Sequence, residues 1–177
     1  MAFEHHNYDL VTVLSAEAVG VPGQRRFRVI SGIGTDVVSL WMEKVQLNAL
    51  GLAIAQLLEQ LTESGLIKSP IVSSPDDAPS APSPASPEYL VSKIMIGYDE
   101  ERKLVAVFAH DVEQDDDDDP IFSGHATLEM AQALSERIET VVAAGRPRCP
   151  RCGAPIGPEG HVCPHNNGHL PWTGNLN

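Results

Sequence analysis

Apolar residues along this chain change their rhythm several times, and each change marks an element. From Tyr8 to Val19 the β-branched run Val11-Thr12-Val13 reads as a strand. Pro22-Gly23 then supplies a turn before Arg26-Phe27-Arg28-Val29-Ile30, so the pattern predicts a hairpin. Gly32 and Gly34 punctuate the sequence ahead of a third strand over Asp36-Val37-Val38-Ser39-Leu40-Trp41-Met42. Three strands are thus expected before the first helix. That helix begins near Glu43, with Leu47, Leu50, Ile54, Leu57, Leu58 and Leu61 falling on one face of a 3.6-residue period, and Gly65 provides a stop.

A different composition follows. Residues 67–87 are rich in Pro, Ser and Ala, which bury too little apolar surface to offset their ordering entropy, and the segment reads as a flexible linker. Beyond it, Tyr89 to Gly97 and Lys103 to Val112 read as a second hairpin turning at Asp99-Glu100-Glu101-Arg102. An acidic loop over residues 113–120 precedes a short strand at Ile121 to Ala126. Thr127 stands at an N-cap position, and Met130, Leu134, Ile138, Val141 and Val142 line a second helix that ends before Gly145.

The two halves, 1–66 and 88–145, repeat an order of three strands and one helix. An offset of 84 residues superposes Leu50 on Leu134, Ile54 on Ile138, Leu57 on Val141 and Leu58 on Val142. This periodicity leaves a duplicated unit about a pseudo-twofold axis and a coincidence of amphipathic helices both open. The expected fold is α+β: a body over residues 1–145 and a tail over 146–177.

Composition narrows the function classes. Acidic residues outnumber basic ones 24 to 12, a formal charge of -12 that repels nucleic-acid phosphates and anionic lipid. No stretch reaches the roughly 20 apolar residues of a membrane span, and the N-terminus lacks signal-peptide features, so a cytoplasmic location without membrane contact is expected. All three cysteines fall within fifteen residues of one another in the tail, which excludes a disulfide framework.

Those cysteines carry the strongest chemistry. Cys149-Pro150-Arg151-Cys152-Gly153 places two thiols two residues apart on a turn that the glycine permits. Cys163 adds a third thiol on a second Cys-Pro step, while the position a further Cys-x-x-Cys knuckle would use is Asn166. A histidine is needed to complete a zinc set. His161 and His169 both remain open, with His161 preferred, and His165 points outward on its tight turn. Three thiolates and one imidazole close a tetrahedron around one structural Zn²⁺, with Arg146, Arg148 and Arg151 near enough to offset its net charge.

Other positions carry weaker chemistry. The aspartates 115–119 lack the glycine and terminal Glu of a calcium loop and read as a solvated acidic loop. His5 and His6 sit at a terminus expected to fray. Gln24 and Arg25 follow a Pro-Gly turn and can present donors to an anion, though a surface arginine in a hairpin is the favoured explanation. Gly32-x-Gly34 lacks the third glycine of a dinucleotide fingerprint.

The turn Gly20-Val21-Pro22-Gly23-Gln24-Arg25, the helix start Glu43-Lys44-x-Gln46 and the acidic run before the second helix together resemble a bacterial family known as domain of unknown function 3090. Ala143-Ala144-Gly145-Arg146-Pro147-x-Cys149-Pro150-x-Cys152-Gly153 and Gly160-His161-Val162-Cys163-Pro164-His165-x-Asn167-Gly168 extend the likeness through the tail. The family pattern commonly has arginine at 165 and allows tyrosine at 169, which implies His161 as the fourth ligand. It implies no catalytic activity.

Three function classes follow. The favoured one is a non-enzymatic zinc-binding adaptor or regulator with a protein partner. The second is a nucleic-acid contact through the tail, using Arg146, Arg148, Arg151, His165 and Trp172. The third is an enzyme with a site between the halves, using Arg25 and His110 or His125.

Overall fold

The computed structural model describes residues 4–21, 24–68, 71–72, 82–84, 86–115, 117–145, 149–154, 156 and 160–165. The chain divides into two compact units, Met1–Val142 and Ala143–Asn177.

The first unit holds seven strands and a helix from each half: β1 (His6–Tyr8), β2 (Val13–Val19), β3 (Arg26–Ile33), β4 (Asp36–Met42), α1 (Lys44–Glu63), β5 (Glu88–Asp99), β6 (Leu104–Asp111), β7 (Phe122–Ala126) and α2 (Leu128–Ala143). The strands form one sheet in the order β1-β7-β6-β5-β4-β3-β2. Two junctions are parallel, β4 with β5 and β1 with β7, and the other pairs are antiparallel.

Laid flat, seven strands would hold β1 and β2 about 29 Å apart at about 4.8 Å per strand. Five residue steps from Tyr8 to Val13 span at most about 18 Å. The sheet must therefore curl, and hydrogen bonds show where its edges meet. The Val11 N–H donates to the carbonyl of His125 in β7 at 2.8 Å, and the next N–H, of Thr12, donates to Gly32 in β3 at 2.9 Å. The N-terminal stretch thus acts as one strand interrupted at Asp9–Thr12, closing the sheet into a ring. The single strand expected from Tyr8 to Val19 is corrected to two, because leaving β7 for β3 breaks the ladder.

Closure also accounts for the repeat. β2, β3, β4 and α1 correspond in order to β5, β6, β7 and α2, and the third strand of each half runs parallel to the first strand of the other. A twofold along the ring axis has that property. The 84-residue offset superposes buried Leu47 on Ala131, Leu50 on Leu134, Ile54 on Ile138 and Leu58 on Val142. The helices meet at Gly51 and Ser135, themselves 84 apart: Ser135 Oγ donates to the Gly51 carbonyl at 3.0 Å. A Cβ on Gly51 would lie 2.7 Å from Ile138 Cγ2, so glycine lets the helices approach.

One apolar cluster joins both helices to one face of the sheet, including Val29, Leu40, Val107 and Phe122. Ile67 is buried in it and Ile71 packs against it, so the beginning of the segment read as a linker is anchored to the core. Its residues 73–81 lie outside the described residues. Asp111 is buried, and its carboxylate accepts the N–H groups of Leu90 and Glu113, both at 2.9 Å, beside the irregularity between Val91 and Lys93.

Candidate metal centre

Local backbone chemistry builds the centre. The Cys149 N–H donates to the carbonyl of Ala154 and the Gly153 N–H to that of Cys149, both at 2.8 Å, folding residues 149–154 back on themselves. Gly153 takes a φ of 72° to make that turn, and Gly160 takes 80° just before His161. Buried Ile156 packs with Cys149 and Cys163, and half-buried Cys152 lies against them.

The sulfurs of Cys149, Cys152 and Cys163 and a ring nitrogen of His161 all lie within 4.8 Å of one another. Cys149 Sγ is 3.8 Å from Cys163 Sγ, and Cys152 Sγ is 3.6 Å from His161 Nε2. A disulfide needs about 2.05 Å between sulfurs, so this spacing belongs to separate thiols. A regular tetrahedron with metal–sulfur bonds of about 2.3 Å and a metal–nitrogen bond of about 2.0–2.1 Å has S–S edges near 3.8 Å and an S–N edge near 3.6 Å. Both separations match those edges. The residues therefore fit one tetrahedral ion with no open position.

The neighbouring thiols are shifted in opposite senses. The imidazole of His161, then the backbone N–H of Cys152, lower the Cys149 thiol from 9.0 to about 6 against some opposing burial. At Cys152 the Ala154 N–H favours the thiolate, but burial and the sulfurs of Cys149 and Cys163 prevail and the thiol is pushed up. Three thiolates this close would repel one another, and a cation held among them would offset that repulsion.

Cys149, Cys152, Cys163 and His161, all anticipated from the sequence, are brought together. His169, the alternative ligand, lies outside the described residues, as do Arg146, Arg148 and Trp172. Arg151 and His165 are exposed. His5 and His6 do not face one ion: His5 Nδ1 sits 3.0 Å from the Pro120 carbonyl and His6 Nε2 3.0 Å from the Tyr89 hydroxyl. His6 is half-buried within β1, a correction to the expected frayed pair. The described aspartates of the acidic loop are exposed and bonded locally, with the Asp115 N–H donating to Asp118 Oδ2 at 3.0 Å. Neither histidine of the enzyme reading stands beside Arg25. β4 and β5 separate β3 from His110, about 14 Å at ordinary strand spacing, and His125 is level with Gly32, about 23 Å along β3 from Arg25.

The chain thus combines a curled, internally repeated α+β body with a short unit whose Cys₃His cluster could hold a metal ion. The chain belongs to the family described as protein of unknown function DUF3090, whose model matches residues 6–163. No curated protein and no solved structure matches it.

Proposed function

We propose that this protein is a non-enzymatic adaptor or regulator whose tail is held by one structural zinc ion, ligated by Cys149, Cys152, His161 and Cys163. The tetrahedral separations of the four donor atoms carry this reading. Zinc suits a soft, thiolate-rich set, and four protein ligands leave no position for the water or substrate that a catalytic zinc keeps. Its role is to fold a segment too poor in apolar residues to fold alone. A reducing, cytoplasmic setting keeps the thiols available, and no described helix is long and apolar enough to cross a membrane.

A rigid body beside a metal-ordered tail is a means of presenting a surface to a protein partner. Affinity capture from host lysate, with crosslinking, tests this by comparing wild type with Cys163→Ser. Capture of a defined partner by wild type, weakened in the variant, supports the adaptor role; equal recovery by both, or no specific partner, contradicts it.

A further inference from the structure

On the sheet face opposite Leu40 and Met42, the pairings of β2 with β3 and β3 with β4 align Glu17, Arg28 and Trp41 in one cross-strand row. Arg26, two residues along β3, points to the same face. The two guanidinium carbons lie 4.4 Å (Arg26) and 4.8 Å (Arg28) from the centroid of the Trp41 ring, both within cation–π range.

The two arginines are placed differently. Arg28 is nearly buried and fully engaged: Nε donates to Glu17 Oε1 at 2.7 Å, Nη2 donates to the same oxygen, Nη1 donates to Ser39 Oγ at 3.3 Å, and Glu88 completes an ion pair at 3.6 Å. Arg26 is exposed and makes no hydrogen bond or ion pair among the described residues. Its fork is available to a ligand, while its stem and plane are held against the indole.

Trp41 is 8% exposed, and its buried Nε1–H has no acceptor among the described residues. Buried donors are almost always satisfied, so an orphan here marks a place for an acceptor. The Gln24 N–H donates to the Val21 carbonyl at 2.9 Å, and Gly20 has a φ of 111° with the Gln24 carbonyl oxygen 2.7 Å from where a Cβ would stand. Arg25, Arg26 and Arg28 thus gather three of twelve basic residues within four positions of a chain with a charge of -12.

We propose that this face binds a small oxyanion ligand carrying a phosphate or carboxylate group, with Arg26 supplying the guanidinium fork and Trp41 Nε1 a further donor. Fork geometry suits both groups, since two parallel N–H donors match two oxygens of either. Arg28 is a positioning residue: Glu17 and Glu88 hold its charge, and its stacking orients the indole.

The metal-loaded 177-residue chain with Trp172→Phe has Trp41 as its sole tryptophan reporter. Its fluorescence is followed while pyrophosphate or citrate is added at constant ionic strength, with chloride as control. The expected result is a saturable change with at least one oxyanion and none with chloride. Arg26→Ala weakens that affinity at least tenfold while the protein stays folded, losing only the small stabilisation of an exposed cation–π contact; Arg26→Lys, which keeps the charge and loses the fork, recovers only part of the affinity. Response to pyrophosphate alone assigns phosphate, and to citrate alone carboxylate. No saturable response to either, an equal response to chloride, or unchanged affinity in Arg26→Ala overturns the proposal.

Discussion

At the scale of single residues, the metal centre and the helix crossing each depend on one close contact. With its thiol lowered to about 6, Cys149 is already a thiolate at neutral pH, whereas Cys152, pushed above the ordinary thiol value, must give up its proton when a cation binds. On the proposed zinc reading protons compete with the metal, so the apparent affinity is expected to fall as pH falls, more steeply once pH drops below about 6 and Cys149 also protonates. Competition titrations with a chromophoric chelator between pH 5.5 and 8 check this, and an affinity independent of pH contradicts it. At Gly51, alanine gains about 1 kcal/mol of helix propensity but sets its Cβ against Ile138, where overpacking costs about 1–3 kcal/mol. Gly51→Ala is thus expected to lose about 1 kcal/mol in urea denaturation, and to lose nothing in an Ile138→Ala background, where the opposing methyl is gone.

At the scale of elements, the helix–strand junctions hold the body in register. Gln46 Oε1 accepts the Glu43 N–H at 2.9 Å, capping α1, while its Nε2 donates to the carbonyls of Val91 and Ser92 in β5 at 3.3 and 3.2 Å. One side chain both starts the helix and ties it to the neighbouring half. Gln46→Ala should cost about 1–2 kcal/mol, read as a lower thermal midpoint, more than an exposed cap alone contributes. Both helices were legible from their periodicity, as was the knuckle from Cys-x-x-Cys, because those signals are local. What stayed hidden depends on which strands meet. The run through Val11 and Thr12 reads as continuous β, and nothing in its composition tells that consecutive N–H groups serve β7 and β3. Ile67 and Ile71 sit beside a Pro/Ser-rich stretch whose composition masks their packing. The Arg26–Trp41–Arg28 stack likewise appears only once β3 lies against β4, although arginines two apart on a strand that also faces a tryptophan-bearing strand are the signal that reveals it.

At the scale of the whole molecule, the two units rest on different sources of stability. The body buries a single large apolar cluster, whereas the tail's buried apolar residues among those described are Cys149, Ile156 and Cys163. With the proposed zinc bound, metal binding would supply most of the tail's folding free energy. Chelation should abolish hydrogen-exchange protection of residues 149–163 while residues of β3, β4, α1 and α2 remain protected; loss of protection throughout would mean that the metal holds the body too.

The most direct test of this account is metal content per chain, by elemental mass spectrometry, for wild type, His161→Ala and His169→Ala purified without added metal. One zinc per chain in wild type and His169→Ala, with zinc lost from His161→Ala, is the expected result. Zinc retained by His161→Ala and lost from His169→Ala, or no zinc in wild type, would contradict it.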